Sequence, residues 1–179
     1  MKKITMTAVF LFALLYTQGY GAAYANESNE APGASISIVN AEGQAIGKAT
    51  LAQKGDKVLI HLEAEKLPPG KHGFHIHQFG KCEAPDFKSA GDHFNPQHKQ
   101  HGFNNPKGFH EGDLPNIEVG ADGKVTADIE TAVVTLQPGQ PNSIMKEDGV
   151  SLVIHEKEDD YATDPSGNSG ARIACGVVK

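Results

Sequence analysis

The chain has no tryptophan, no internal repeat, no long run of charge and no stretch with a sustained helical period. Without a helical period, helix bundles and βαβ folds are disfavoured. Basic residues are in short supply, 16 against 22 acidic, for a formal net charge of −6. A bulk acidic chain is a poor nucleic-acid binder, so that class of partner is set aside. No apolar run approaches the roughly 20 residues a spanning helix needs. The longest, Met6 to Tyr16, has 11 residues.

That run belongs to a leader. Lys2 and Lys3 precede it, and Ala23-Tyr24-Ala25 follows as a small-x-small site. This is the layout of a secretory signal peptide over residues 1–25, cleaved after Ala25. Lipoprotein anchoring needs a cysteine at the cleavage point, and none precedes Cys82. No stable membrane anchor is expected after cleavage. Removing the leader leaves 14 basic and 22 acidic residues, a net charge of −8. Residues 26–33 are polar and contain Pro and Gly, and read as a flexible arm; residues 34–179 form one domain. Cysteine is scarce too, with Cys82 and Cys175 alone. Export permits a disulfide, and two cysteines allow one intramolecular pairing; two free thiols are the alternative.

What is present is period two. Ala34–Val39, Lys57–Ala64, His72–Phe79, Asn116–Val119, Lys124–Glu130, Val133–Leu136, Val150–His155 and Ala171–Val178 read as strands. Ala121-Asp-Gly123 is a hairpin turn signal between two of them. About eight short strands imply an all-β antiparallel sandwich or barrel. Gly80–Leu114 and Glu156–Gly170 interrupt the rhythm, and loops of that length in a compact domain are usually functional.

Nine histidines occur, most between His72 and His110. His75 and His77 alternate with Phe74 and Ile76, so the two imidazoles share one face and the apolar pair the other. Alone, H-x-H is a weak metal signal. His93, His101, His110 and Asp113 are stronger: three imidazoles and a carboxylate suit tetrahedral zinc. The loop carrying them has little apolar reason to fold, and metal binding could supply it. The competing reading is a surface His-rich loop.

Six blocks together resemble copper/zinc superoxide dismutases. They are Gly73-Phe-His-Ile-His-Gln-Phe-Gly80, Gly91-Asp-His-Phe-Asn-Pro96, His101-Gly102, His110-Glu-Gly-Asp-Leu114, Val153-Ile-His-Glu-Lys157 and Gly170-Ala-Arg-Ile-Ala-Cys-Gly176. The resemblance runs from about Ala34 to Val178. It implies an eight-stranded Greek-key β-barrel, of the immunoglobulin-like sandwich class, with two long functional loops. It implies one copper held by His75, His77, His93 and His155, and one zinc held by His93, His101, His110 and Asp113. His93 would bridge the two and serve as the proton carrier. Asp159 matches the carboxylate that hydrogen-bonds one ligand of each metal, and Arg172 the arginine beside the copper. Cys82 and Cys175 match the family disulfide.

The implied activity is conversion of superoxide to dioxygen and hydrogen peroxide by copper cycling. Arg172 answers the problem of drawing a small anion to an acidic protein, and Lys157 is a second candidate for guiding it. The loop 156–170 is shorter than in the eukaryotic enzymes and lacks clear counterparts of their midloop charges. The short C-terminus gives no basis for transferring their dimer interface, and the oligomeric partner is open. His61, His72 and His98 are read as non-ligands. A non-catalytic metal-binding module on the same barrel would be expected to lose a copper ligand or the arginine. A generic exported zinc protein would leave His75, His77, His155 and Arg172 unexplained.

Overall fold

The computed structural model describes residues 33–179, so the expected leader (1–25) and nearly all of the expected arm (26–33) lie outside the described residues. Nine strands form: β1 Ser35–Asn40, β2 Ala45–Lys54, β3 Lys57–Ala64, β4 Gly70–His72, β5 Phe74–His77, β6 Ile117–Val119, β7 Val125–Thr131, β8 Val150–His155 and β9 Arg172–Val178. Seven of them make one antiparallel sheet in the order β5-β8-β9-β1-β2-β3-β7, and β4 pairs with β6. β4 and β5 are one strand interrupted at Gly73, which gives eight in all. Gly73 leaves the ladder to donate its N–H to the Lys157 carbonyl and accept from the His155 N–H, both at 2.8 Å. β6 and β7 are joined by a tight turn, in which the Gly120 N–H donates to the Lys124 carbonyl at 2.8 Å. The two ends of the sheet are thereby brought together, and the strip closes into a Greek-key barrel.

Alternation decides which face is inside. In β3, Val58, Ile60, Leu62 and Ala64 are buried and the residues between them are not. Ile36 and Ile38 of β1, Leu51 of β2, Phe74 and Ile76 of β5, and Leu152 and Ile154 of β8 meet them in one core. Burial of one such side chain is worth about 1.5–3 kcal/mol. β8 lies between β5 and β9 and is buried along its whole length. This rigid centre carries His75 and His77 on β5 and His155 at the end of β8.

The structure departs from the sequence expectations in four places. β2, the longest strand, was not anticipated: its burial pattern skips from Ile46 to Ala49, beside a register shift at Ile38/Val39 of β1. That irregularity, with Gly, Lys and Ala in the middle, hides the alternation. Val133–Leu136 is not a strand. Val134 and Leu136 are buried, but the segment is held by Gln53, whose Oε1 accepts from Thr135 Oγ1 (3.1 Å) and the Leu136 N–H (2.8 Å). His72–Phe79 is broken at Gly73. The expected hairpin keeps its turn, but its arms part: β7 pairs with β3 over seven residues and β6 with β4 over three.

Candidate metal centre

Two loops, residues 78–116 and 156–171, lie over the end of the barrel where β5 and β8 present their histidines. They are fastened to each other through Asn116. Its Oδ1 accepts from the Asp159 N–H and its Nδ2 donates to the Asp159 carbonyl, both at 2.9 Å. The Asn116 N–H donates to the Tyr161 hydroxyl at 2.7 Å. The Asp159 carboxylate is thus held from behind, fully buried between the loops.

Four histidines meet at the barrel wall: His75, His77, His93 and His155. His93 is carried beside β5 by a backbone bridge to His77. Each ring is turned by a hydrogen bond at its far nitrogen. His75 Nε2 donates to Asp159 Oδ2 (2.8 Å), His77 Nδ1 to the Gly91 carbonyl (2.9 Å) and His155 Nδ1 to the Gly170 carbonyl (3.3 Å). His93 Nδ1 faces Asp113 Oδ1 at 2.9 Å. The nitrogens left over are His75 Nδ1, His77 Nε2, His93 Nε2 and His155 Nε2. Two of them, His75 Nδ1 and His93 Nε2, are buried with no hydrogen-bond partner. The other two face each other at 3.3 Å. Burying an unpaired polar atom costs about 1–3 kcal/mol. A set of converging lone pairs removes that cost when a cation sits between them.

The second group shares His93. Nδ1 atoms of His93, His101 and His110 surround Asp113 Oδ1 at 2.9, 2.9 and 3.3 Å, and His110 Nδ1 lies 3.4 Å from His93 Nδ1. Tetrahedral zinc at about 2.0–2.1 Å from each donor requires donor–donor edges of about 3.3 Å. The observed edges bracket that value. Asp113 is aimed by accepting backbone N–H groups of Gly102 (2.9 Å) and His110 (3.0 Å) at Oδ2. Asp159 Oδ1 accepts from His101 Nε2 at 2.9 Å, so one carboxylate orients a ring in each group. Gly167, in the left-handed region at φ +64°, allows this close fit; a Cβ there would strike the Asp159 carboxylate.

Burial dominates the titration of the first group. It lowers His75 to a pKa of about 4 and His93 and His155 to about 3, and pushes His77 well below its ordinary value. The rings are therefore neutral, the form a metal requires. Burial also opposes charge at His101, but the hydrogen bonds its ring donates to Asp113 and Asp159 outweigh it and raise the pKa to about 9. Burial alone would raise Asp113 and Asp159. Their bonds to His101 and neighbouring histidines win, and both stay well below the usual carboxylate range.

Arg172, at the start of β9, donates from Nη1 to the Phe87 carbonyl (2.7 Å) and from Nη2 to the Gly91 carbonyl (2.6 Å). It lines an open cleft of about 750 Å³ with His77, His93 and His155. Lys157, expected to help guide an anion, does not line this cleft. Cys82 and Cys175 are joined in a disulfide, which ties the loop bearing Phe87 and Gly91 to β9. His61 pairs with Asp128 (2.6 Å) on the barrel exterior, and His72 contacts the carbonyls of His155 and Pro68 at 2.8 Å. His98 lies in the cleft but in neither ligand group. Sequence reasoning missed Asn116, Gly167 and the Phe87 and Gly91 carbonyls. A backbone carbonyl has no residue signature, and the Asn116 contact spans 43 residues.

A Greek-key barrel with two histidine-rich groups, each able to hold a metal ion and joined through one imidazole, places the chain among metal-binding barrel proteins. The family model of copper/zinc superoxide dismutase matches residues 45–178. Superoxide dismutase [Cu-Zn] 1 of Aquifex aeolicus is 55% identical over 143 residues, 79% of this chain and 85% of that protein. Superoxide dismutase-like protein YojM of Bacillus subtilis is 52% identical over 145 residues, 80% of this chain and 74% of that protein. A crystal structure of a SOD-like protein from Bacillus subtilis superposes with a TM-score of 0.79 at 50% identity, covering 81% of this chain and 97% of that one. The Cu/Zn superoxide dismutase of Brucella abortus gives 0.68 at 28% identity, covering 83% and 100%. The chain belongs to the copper/zinc superoxide dismutase family. Its activity is that of an oxidoreductase acting on superoxide, which it converts to dioxygen and hydrogen peroxide.

Proposed function

We propose that the enzyme holds one copper ion at His75, His77, His93 and His155 and one zinc ion at His93, His101, His110 and Asp113. The observation that carries this assignment is the pair of buried, unpartnered nitrogens, His75 Nδ1 and His93 Nε2, each aimed into the four-histidine pocket. Bound copper supplies one-electron exchange in both directions, and zinc, which has no redox chemistry, supplies a fixed positive centre. His93 is the residue common to both pockets. It holds a proton at Nε2 in one half-reaction and yields it to the departing peroxide in the other, while its Nδ1 side stays fixed in the zinc pocket. A second proton comes from solvent through the open cleft. Arg172 spends two of its five N–H donors on backbone carbonyls, leaving the rest of the guanidinium to hold the substrate anion. Asp159 keeps His75 and His101 in register, as carboxylates behind metal-ligating histidines do.

Metal analysis beside a superoxide assay tests this. The protein is expected to take up one copper and one zinc, and His155→Ala to lose dismutation while retaining zinc. Activity that survives His155→Ala overturns the copper assignment. The same proposal includes export through a leader over residues 1–25 and maturation to a chain starting at Asn26. The disulfide supports it, as does a 39% identical relative from Brugia pahangi named as an extracellular superoxide dismutase. The mass of the protein recovered outside the cytoplasm checks the cleavage point.

A further inference from the structure

We infer that Tyr161 is a positioning residue that docks the loop bearing His101 and His110 onto the loop bearing Asp159, through contacts between protein groups alone. The inference rests on the reading that zinc binds at His93, His101, His110 and Asp113, and it names what holds that pocket in shape before an ion enters.

Tyr161 stands two residues after Asp159 and touches three segments. Its N–H donates to Asp159 Oδ1 at 2.7 Å, the oxygen that also accepts from His101 Nε2. Its carbonyl accepts from the Asn104 N–H at 2.9 Å. Its hydroxyl oxygen accepts from the Asn116 N–H at 2.7 Å, and Asn116 in turn grips the backbone of Asp159. Gly102 approaches the Tyr161 carbonyl so closely that a Cβ there would collide with it. The Tyr161 backbone is left-handed, at φ 59°. That conformation is uncommon for a bulky residue and persists where surrounding contacts fix it.

The ring completes the clasp. Its centre lies 5.4 Å from that of Phe103, and Phe103 lies 4.9 Å from Phe109. Both spacings are those of favourable aromatic pairs. Phe103 follows His101 by two residues and Phe109 precedes His110 by one, so the row of rings is tied to two candidate zinc ligands and to the carboxylate that orients one of them. The row also accounts for Phe103, one of two large apolar side chains left exposed among the described residues. Each of these contacts joins protein to protein, so none needs an ion. Zinc then meets a loop already ordered, and less of its binding free energy is used to fold it.

The test uses the metal-free, disulfide-intact chain from Asn26, with Tyr161→Phe, Tyr161→Asn and Phe103→Ala. In that chain Tyr161 is the single tyrosine and there is no tryptophan, since Tyr16, Tyr20 and Tyr24 lie in the leader. The tyrosine band of its near-ultraviolet circular dichroism therefore reports the clasp. Asn tolerates the left-handed backbone, so Y161N removes the ring and hydroxyl but keeps the turn. The unaltered protein is expected to show the band before any metal is added, and F103A to lose most of it. The Asn104 and Asn116 amides are expected to exchange about tenfold faster in Y161N, which lacks one hydrogen bond and one aromatic pair. Y161F is expected to lose protection at Asn116 alone. The zinc dissociation constant, from chelator competition, is expected to rise about tenfold in Y161N and about threefold in F103A, with Y161F close to the unaltered protein. Cobalt(II) placed in the zinc pocket has absorption bands set by ligand geometry. They are expected to change in Y161N and persist in Y161F, whereas a residue that only adds stability would leave them in place. Equal amide exchange in Y161N and the unaltered protein overturns the inference, as does unchanged zinc affinity. If Y161N does not fold, F103A decides by the same readings. Protected amides in a protein that takes up no zinc would instead sink the zinc assignment and leave the clasp standing.

Discussion

At the scale of single residues, the chemistry depends on which nitrogen of each ring is free. Asp159 settles this for two rings at once, through bonds of 2.8 and 2.9 Å to His75 and His101. Asp159→Asn keeps the shape but loses the charge and one acceptor. Zinc affinity is expected to fall about 10–100-fold, as is usual for partners behind metal ligands. A competitive chelator titration measures it, and unchanged affinity would remove Asp159 from its orienting role. His101 makes a second expectation. Near pH 7 the metal-free ring is protonated on both nitrogens, because its pKa is raised to about 9. Zinc bound at the proposed site would displace one of these protons. Calorimetry in buffers of different ionisation enthalpy is expected to show about one proton released at pH 7 and less above pH 9.

At the scale of elements, β5 and β8 form the rigid wall and the two loops bring the remaining candidate ligands to it. The loop from Gly80 has no place in the ladder, and the disulfide fastens it to β9 across a separation of 93 residues. In the chain-entropy account a loop of that size contributes about 4–5 kcal/mol. Paired Cys82→Ser and Cys175→Ser substitution is expected to cost about 2–5 kcal/mol, read from urea unfolding. It is also expected to loosen Arg172, since the Phe87 and Gly91 carbonyls that hold the guanidinium ride on the same loop. A rise in the azide dissociation constant of the variant would report that loosening. The H-x-H strand and the inward rows of β1 and β3 were legible because alternation writes itself into sequence. β2 was not, because a register shift breaks the row and its middle residues are poor strand formers. The arms of the expected hairpin parted for a different reason: partner choice is settled by distant strands, and β3 offers β7 a longer ladder than β6 can.

At the scale of the whole molecule, the metal-free protein carries its own pH dependence. Burial holds His75 near pKa 4 and His93 and His155 near 3, below the 6.5 of a free ring. Unfolded chains bind those protons first, so stability present above about pH 6.5 is lost as pH falls toward 4 and 3. Asp113 and Asp159, held low in the fold, add to the loss below about pH 4. His101 acts in the opposite sense. Its raised pKa contributes stability in full below about 6.5, and that contribution fades as pH rises through about 9. Urea midpoints of the metal-free protein are therefore expected to peak near pH 6.5–7 and fall on both sides. A flat profile would contradict the buried-ring account. Metal loading is expected to raise the whole curve, since ions that bind the folded state alone stabilise it.

The sequence by itself determined the class of fold, the set of candidate ligands and the family they resemble. Strand faces follow from a two-residue period, and the ligand types stand in the chain in recognisable blocks. The tertiary structure alone decided which ring nitrogen is free, which carbonyls anchor Arg172, how Asn116 locks Asp159, and which charged side chains line the cleft. Those outcomes depend on contacts between segments tens of residues apart, and local periodicity carries no record of such contacts.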